Sequence, residues 1–284
     1  MVPFTLVVPA TEPEAIAELA QAPPGSIAVL AGGTDLLLDL DERRLAPGRV
    51  LSLRRLPWKG HVWNDGGLTI GSTEPLSVLE ADETLAQRLP ALAQAIAAVG
   101  SPALRHQATV GGNLGRAAPA SDLTPVLLAL DAEIEIVGPA GTRRLPVDGF
   151  LKGSRRTALD RGELIRSVRI PEQRPTSAYL WQRVRPAGDI SQIGVSVAYA
   201  PQDEHWRVSL GGAPPRPVLV PDAASELRGP RPDEEEVAAA AARLAAHPAL
   251  ITDRRATDEH RRRVASILVV RAVSSAVAPG GGAP

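Results

Sequence analysis

Two glycine-rich segments carry the residue types best suited to bind an anionic ligand. The first is AGGTDLL, residues 31–37, which directly follows the apolar run IAVL at residues 27–30. The second is ATVGGNLGRAAPASDL, residues 108–123. Glycine has no Cβ atom, so its backbone turns sharply and a ligand can approach the N–H groups closely. Because successive N–H groups in such turns form an anion-binding concavity, two loops on two units would clamp a diphosphate from both sides.

Either segment by itself also fits an ordinary turn, because a Gly-Gly pair after a strand is usually only a turn. The sequence contains neither G-x-G-x-x-G nor a Walker A motif, so it favours neither a Rossmann nor a P-loop site. Its five histidines include no pair at the spacing of metal ligands. The glycine segments therefore remain the main candidates for chemistry.

The first glycine segment lies in a predicted small α/β unit, residues 1–57. Thr11 and Glu14 have the spacing of a capping box, which predicts a helix over residues 11–20. IAVL is predicted to form a short buried strand, and VLSL at residues 50–53 a second strand. The first loop therefore follows directly from a strand.

The second glycine segment lies in a longer predicted unit, residues 58–172. Asn64-Asp65-Gly66-Gly67 predicts a hairpin turn, and the alternating EIEIV at residues 133–137 predicts a half-buried strand. The remaining predictions are a strand at 68–72, helices at 75–82, 89–99 and 122–132, and a closing segment at 163–171. The second loop thus precedes a helix that begins near Asp122.

The pattern changes beyond a predicted linker at residues 171–175. Three successive antiparallel strands are predicted at residues 177–184, 192–200 and 205–213, followed by helices at 233–247 and 258–278. Strands followed by helices indicate an α+β domain. The run Arg261–Arg263 is expected to form a solvated helix face, and residues 279–284 a disordered tail.

Composition excludes several classes of function. The 284 residues carry a formal net charge of −1, so there is no broad basic surface for nucleic acid. The sequence has no cysteine, which excludes disulfides, a cysteinyl flavin and a cysteine-ligated iron–sulfur cluster in this chain. No stretch approaches the roughly 20 apolar residues of a membrane span, and the first residues lack the features of a signal peptide. We expect a soluble cytoplasmic protein.

The two glycine segments resemble the signature segments of the FAD subunits of molybdenum hydroxylases, the family of xanthine dehydrogenase and carbon monoxide dehydrogenase. GGLTIGSTEPLSVLE, FLKGSRRTALDRGELIRSVRIP and TDRRATDEHRRRVASILVVRAV are also similar to family segments, in the same order along nearly the whole chain. The resemblance implies an α+β fold. A two-subdomain FAD-binding unit of the PCMH type, residues 1–172, would precede a C-terminal flavoprotein domain, residues 176–278.

The resemblance also implies which residues bind FAD non-covalently. The pyrophosphate is expected on the backbone N–H groups of Ala31, Gly32, Gly33, Thr34, Asp35 and Leu36. The diphosphate and flavin are expected against Thr109, Val110, Gly111, Gly112 and Asn113. The phosphate and ribitol–ribose part is assigned to Ala118, Ser121 and Asp122, and the flavin ring to Leu164 and Ile165. No residue of this chain is expected to act as a catalytic acid or base or to bind a metal.

Asp122 and the C-terminal domain leave open questions. Asp122 also fits the N-cap of the following helix, and the two roles are compatible. The family expects a Lys near the flavin in the first C-terminal strand, where this chain has Trp181 and Gln182. Arg183 or Arg185 would have to supply the charge, and arginine is not a simple substitute for lysine.

The implied function is electron transfer within a complex. An iron–sulfur small subunit would deliver electrons that a molybdenum-pterin large subunit takes from the organic substrate. The FAD of this chain would pass them to NAD⁺, a quinone or another acceptor. Two alternatives stay open. One is a stand-alone flavin oxidoreductase with the same fold, and the other is an assembly scaffold that has lost FAD.

Overall fold

The first unit is a three-stranded parallel sheet with helices beside it. The computed structural model describes residues 2–65, 67–171, 174–185, 189–213 and 215–278. The elements of this unit are β1 (Thr5–Val7), α1 (Glu12–Gln21), β2 (Ile27–Leu30), α2 (Leu36–Asp41) and β3 (Arg49–Ser52). The strand order is β1-β3-β2, so β2 is an edge strand and delivers the chain directly into the first glycine loop.

Helix α1 begins where the capping box predicts. The Thr11 side chain accepts from the Glu14 amide, and the Glu14 carboxylate accepts from the Thr11 amide at 3.3 Å. Ala15 of this helix is fully buried in a core cluster that also contains Leu51 of β3. The predicted helix is thus confirmed, and the predicted strand β2 is confirmed as well, although its residues are only half-buried or exposed.

The second unit is a five-stranded antiparallel sheet covered by short helices. Its elements are β4 (His61–Asn64), β5 (Gly67–Gly71), α3 (Leu76–Glu80), α4 (Glu83–Arg88), α5 (Pro90–Ala98), α6 (Pro102–Arg105), α7 (Val110–Arg116), α8 (Leu123–Ala129), β6 (Glu133–Gly138), β7 (Gly141–Pro146), α9 (Val147–Phe150), β8 (Leu151–Gly153), β9 (Arg156–Thr157) and β10 (Leu164–Ile170). The order β4-β5-β10-β6-β7 places β10 at the centre.

Alternation in β6 appears as predicted. Ile134 and Ile136 are fully buried in the main core, whereas Glu133 and Glu135 are half-buried. The predicted hairpin is also present, since Asn64 of β4 pairs with Gly67 of β5, although Gly66 in its turn lies outside the described residues. The first and second units share a smaller core that includes Trp58 and Leu164.

The third unit is a four-stranded antiparallel sheet with helices on one face. Its elements are β11 (Ser177–Gln182), β12 (Ile193–Ala200), β13 (His205–Gly211), β14 (Val218–Leu219), α10 (Pro221–Ala224), α11 (Glu234–Ala245) and α12 (Asp258–Val277). All eight residues of β12 are buried, because α12 contacts this strand in addition to α5 and α8 of the second unit. The three predicted strands and two predicted helices are confirmed, as is the α+β class. The predicted tail, residues 279–284, lies outside the described residues.

The expectation that Arg261–Arg263 form a solvated helix face is wrong for Arg261. Its side chain is fully buried, with 0% exposed, and it donates to the Ile251 carbonyl and to the Asp253 carboxylate at 2.8 Å. The segment before α12 folds back over this side of the helix and covers the guanidinium. Only Arg263, whose side chain is 69% exposed, matches the expectation well.

Candidate functional site

A cavity of about 420 Å³ lies between the first and second units, and both glycine loops line it. The residues predicted from the sequence that line it are Ala31, Gly32, Gly33, Thr34, Asp35, Leu36, Thr109, Gly111, Gly112, Asn113, Leu164 and Ile165. Val110 is buried in the main core instead. Ala118, Ser121 and Asp122 are not among the lining residues. The fold thus brings most of the predicted residues together around one cavity.

The first loop presents backbone donors to this cavity. Gly33 has φ +82°, a left-handed conformation that glycine adopts without strain. Within the described residues, no hydrogen bond uses the amide N–H groups of residues 32–35. Donors without a protein acceptor at a cavity wall match the needs of a phosphate ligand.

The two loop regions touch through their backbones. A Cβ atom at Gly32 would lie 1.9 Å from the Gln107 carbonyl oxygen, which is too close for any other residue. A Cβ atom at Gly112 would lie 3.7 Å from the Ala31 Cβ, across the gap between the loops. The close approach of the two loop regions therefore requires glycine at position 32, whereas a Cβ atom at position 112 would make only an ordinary contact with Ala31.

The second loop is the start of a helix, which the sequence did not predict. Thr109 is the N-cap of α7, and its hydroxyl accepts from the Gly112 amide at 3.0 Å. The Gly111 amide donates to the Ser72 carbonyl at 3.1 Å, and a Cβ at Gly111 would lie 2.5 Å from the Ser72 Cβ. Gly111 therefore lets α7 pack against the end of β5. Neither Gly111 nor Gly112 has a positive φ, so neither glycine is required by a left-handed backbone.

Ser72 adds a polar group to the wall of the cavity. It lines the cavity, and its hydroxyl oxygen is buried without a hydrogen bond inside the described part of the chain. A buried hydroxyl without a partner costs free energy unless a ligand or water bonds to it. Together with the unused amides of the first loop, this hydroxyl shows that the cavity suits a polar ligand with several acceptors, as FAD is.

Arg116 and Glu163 line the cavity as well, and neither was predicted from the sequence. Arg116 ends α7 and pairs with Asp39 of α2 and, at 3.3 Å, with Asp35. Burial acts to raise the pKa of Asp39, but the hydrogen bond and charge of Arg116 outweigh it and lower that pKa. Because helix α7 was not predicted from the sequence, the placement of Arg116 one helical turn after Asn113 could not be recognised.

Glu163 is held by Arg143. Two hydrogen bonds of 2.7 and 2.6 Å join the guanidinium to the carboxylate, and they lower the pKa of Glu163. The next residues, Leu164 and Ile165, are buried and supply an apolar wall. An apolar wall facing a loop of backbone donors suits a ligand with a flat ring at one end and a diphosphate at the other.

Asp122 lies at the contact between the second and third units. Its Oδ1 accepts from the Tyr179 hydroxyl at 2.7 Å and the Ser191 hydroxyl at 2.6 Å, and its Oδ2 accepts from Arg183 at 2.9 Å. Burial raises the pKa of Asp122, and these three donors offset part of that rise. Burial and the charge of Asp122 hold the pKa of Tyr179 well above its ordinary value, so Tyr179 stays a hydrogen-bond donor.

The interpretation of Asp122 as a side-chain N-cap is wrong. Asp122 occupies the N-cap position of α8 but makes no capping hydrogen bond, because its carboxylate is turned toward the third unit. The Ser121 hydroxyl instead accepts from the Thr124 amide at 3.1 Å and donates to Asn113 Oδ1 at 2.6 Å. Ser121 is thereby tied to a residue that lines the cavity.

The residues at the expected lysine position have other partners. Trp181 stacks on Tyr179 with 5.4 Å between the ring centroids. The guanidinium of Arg183 lies over the Trp181 ring, 5.4 Å from its centroid. Arg183 is committed to Asp122, whereas Arg185 is 73% exposed and pairs with Asp189. None of Trp181, Gln182, Arg183 and Arg185 lines the cavity in the described structure.

Comparison with known proteins identifies two family domains along the chain. Residues 2–173 match the FAD binding domain in molybdopterin dehydrogenase, and residues 179–276 match the CO dehydrogenase flavoprotein C-terminal domain. The xanthine dehydrogenase FAD-binding subunit of Escherichia coli O157:H7 is 31% identical over 217 residues, 74% of each chain. The carbon monoxide dehydrogenase medium chain of Hydrogenophaga pseudoflava is 28% identical over 232 residues, 80% of each chain.

Solved structures share the whole architecture. A chain of the carbon monoxide dehydrogenase from Hydrogenophaga pseudoflava superposes with a TM-score of 0.90 at 26% identity and covers 100% of both chains. A chain of quinoline 2-oxidoreductase from Pseudomonas putida 86 gives a TM-score of 0.88 at 26% identity over 98% of both chains. Among the described residues, no helix combines the length and apolar character that crossing a bilayer requires. The chain belongs to the FAD-binding subunits of the molybdopterin-dependent dehydrogenases.

Proposed function

We propose that this chain is the FAD-carrying electron-transfer subunit of a molybdenum-dependent dehydrogenase complex. The observation that carries the proposal is the cavity enclosed by both glycine loops, in a chain of this family. FAD supplies the redox chemistry when it is bound, because a flavin can accept and donate electrons one or two at a time. The chain's own residues bind and orient it.

The roles of the residues follow their positions. Residues 31–36 hold the diphosphate through backbone N–H groups, with Thr109, Gly111, Gly112 and Asn113 on the facing loop. Leu164 and Ile165 pack against the flavin ring. Ala118, Ser121 and Asp122 remain proposed contacts of the phosphate and ribitol–ribose part, although they do not line the cavity as described. Support for Ser121 comes from its hydrogen bond to Asn113.

The proposed partners are an iron–sulfur subunit and a molybdenum-pterin subunit. Relatives named as medium chains and FAD subunits belong to multi-subunit enzymes. Since the chain has no cysteine, a cysteine-ligated cluster that delivers electrons to its FAD would lie on another chain. NAD⁺, a quinone or another small oxidant is the proposed acceptor, and the cytoplasm is the proposed location.

We propose that the chain consists of an FAD-binding unit and a C-terminal domain. The FAD-binding unit would span residues 1–172, with subdomains of about 1–57 and 58–172, and the C-terminal domain would span residues 176–278. Separate sheets in the three regions support this division. A large core in the second unit and another in the third support it further.

Purification of the full chain tests the proposal directly. We expect a yellow protein with about one FAD per chain, and acid precipitation should release all of the flavin. Colour that stays with the precipitate would contradict non-covalent binding, and a colourless protein that also fails to bind added FAD would favour a scaffold that has lost its cofactor.

A pull-down from the native host tests the complex. The eluate should contain two further subunits together with iron and molybdenum. If the chain instead purifies alone and oxidises an organic substrate with NAD⁺ or oxygen at enzymatic rates, the stand-alone flavoenzyme is correct.

A further inference from the structure

His61 lies between two carboxylates in the second unit. It is the first residue of β4, and its side chain is 19% exposed. Its Nδ1 lies 3.2 Å from Glu74 Oε1, and its Nε2 lies 3.2 Å from Asp82 Oδ2. A neutral imidazole donates from only one ring nitrogen, so its other nitrogen would turn a lone pair toward a carboxylate oxygen. The arrangement therefore fits the imidazolium ion, in which both nitrogens donate.

Other donors hold both carboxylates in place. The Glu74 side chain is 3% exposed, and its Oε2 accepts from the Gly60 amide at 2.8 Å. Asp82 is the N-cap of α4 and accepts from an amide in the first turn of that helix at 2.8 Å and from the Trp63 indole at 3.4 Å. Burial acts to raise the pKa of Asp82, but these hydrogen bonds and the charge of His61 lower it, so Asp82 is ionised at neutral pH.

The other charged groups on the elements that carry or adjoin these residues form no ion pair with His61 within the described part of the chain. They are Lys59 before β4, Glu80 in α3, and Glu83 and Arg88 in α4. Arg88 lies over the Trp63 ring, 5.1 Å from its centroid, and Glu80 is bound by Arg105. The strand paired with β4, β5, carries no charged residue. The two carboxylates therefore dominate the charge that the His61 ring faces.

Glu74 lies in a segment that supports the second glycine loop. In this segment the Ser72 carbonyl accepts from the Gly111 amide at 3.1 Å, and the Leu76 amide donates to the Ala108 carbonyl at 2.9 Å. Ala108 and Gly111 both line the cavity. Glu74 stands between these two backbone contacts, so an interaction that fixes Glu74 also fixes the support of the loop.

We propose that charged His61 ties residues 72–76 to β4 and α4, and that loss of its second proton at higher pH loosens the second glycine loop and weakens FAD binding. A neutral ring leaves one nitrogen without a hydrogen toward a carboxylate, so repulsion replaces attraction. The tie is thus present at lower pH and lost as the pH rises. His61, Glu74 and Asp82 are positioning residues, since none of them lines the cavity. The proposal rests on the proposed function, because it concerns FAD in this cavity.

The experiment follows the charge of His61 and the FAD affinity of the full chain over the same range, from pH 6 to pH 9. Carbon-13 labels in the histidine rings report the charge of each ring by NMR, and His61→Gln identifies the His61 signal. Fluorescence titration gives the dissociation constant of FAD at each pH. His205→Gln is the matched control, because His205 is an exposed histidine of the third unit.

Glu74→Gln is the decisive variant. Its amide oxygen can still accept from Gly60, and its NH2 group can donate to a neutral His61 ring, whose other nitrogen donates to Asp82. The tie then no longer needs the second proton. We expect the FAD affinity of Glu74→Gln to stay nearly constant from pH 6 to pH 9.

The wild type should instead lose affinity by about tenfold over this range, the scale of coupling through residues that do not touch the ligand. The loss should follow the NMR titration of His61. His205→Gln should behave like the wild type, and His61→Gln should bind FAD at pH 6 about as weakly as the wild type does at pH 9.

Three results would overturn the proposal. In the first, His61 is neutral at pH 6. In the second, the wild-type affinity for FAD does not change while His61 loses its proton. In the third, Glu74→Gln keeps the pH dependence of the wild type, which would place its origin elsewhere. A wild-type chain that binds no FAD at any pH would refute the proposed function itself, and the NMR titration of the free chain would still show whether His61 is charged, so the two failures are distinguishable.

Discussion

Gly32 lies directly against the carbonyl oxygen of Gln107, so the backbone of the first glycine loop contacts the backbone of the second unit at this point. A side chain at position 32 would separate the two walls of the cavity. Because Gly32 has an ordinary φ, its glycine is required by space and not by backbone conformation. The contact therefore offers a test of the cavity that is independent of the cofactor's chemistry.

We predict that Gly32→Ala lowers FAD occupancy severely. The added methyl group would lie 1.9 Å from the Gln107 oxygen, and such overpacking costs about 1–3 kcal/mol. Flavin absorbance per chain and the thermal unfolding midpoint measure the effect. Gly48→Ala is the matched control, because its nearest atom would be 3.9 Å away. Wild-type occupancy in Gly32→Ala would exclude this contact as a determinant of the site.

Valine at positions 111 and 112 should have different effects. Gly111→Val would collide with the Ser72 backbone, so we expect loss of folded protein as well as of FAD. At Gly112 the nearest atoms are the Thr109 hydroxyl at 2.9 Å and the Ala31 Cβ at 3.7 Å, so Gly112→Val should lose FAD and keep most of the apo fold. Chemical denaturation and flavin titration separate the two outcomes. Full FAD occupancy in Gly112→Val would show that this loop is not the site.

Neighbouring arginines of α12 should differ strongly in their contribution to stability. Arg261→Ala removes a fully buried guanidinium that donates to the Ile251 carbonyl and shares Asp253 with Arg255, and we expect a loss of about 3 kcal/mol, as for other broken buried pairs. Arg263→Ala removes only an exposed pair with Glu259 and should change stability by less than about 0.5 kcal/mol. Urea denaturation measures both, and equal effects would contradict the buried position of Arg261.

Lowering the pH should remove the contribution that the Asp253 carboxylate makes to the free energy of unfolding. Burial acts to raise its pKa, but the hydrogen bonds and charges of Arg261 and Arg255 lower it to about 2. A carboxyl whose pKa is lower in the folded state stabilises the protein above its unfolded value of 3.8, and this is lost as the pH falls toward 2. The contribution at neutral pH is about 2 kcal/mol, with one pKa unit equal to about 1.4 kcal/mol.

The comparison of Asp253→Asn with the wild type measures this contribution. The difference in unfolding free energy should be largest near pH 7 and shrink as the pH falls below 4. A difference that stays constant between pH 7 and pH 3 would show that Asp253 does not stabilise the fold through its charge.

Much of the secondary structure could be predicted because its signals are local. The capping box at Thr11 and Glu14 and the alternation in residues 133–137 depend only on residues a few positions apart. Helix α7 was missed because two glycines in its first turn hide the helical pattern, and its cap at Thr109 depends on one hydroxyl. Strand β12 was predicted as a strand, but the burial of all eight of its residues could not be predicted, because it depends on the helices that pack against it.

By itself, the sequence determined the α+β class and the two glycine segments. The order of the similar segments along the chain determined the family. It also determined that no cysteine is present to hold a cluster. Only the tertiary structure decided that Asp122 pairs with Arg183 and that Arg261 is buried beneath the segment before its helix. Asp122 and Arg183 are 61 residues apart, and a contact over that separation depends on how the sheets and helices pack. Local patterns record which residues neighbour each other along the chain, whereas burial and charge pairing depend on what the folded chain brings against them.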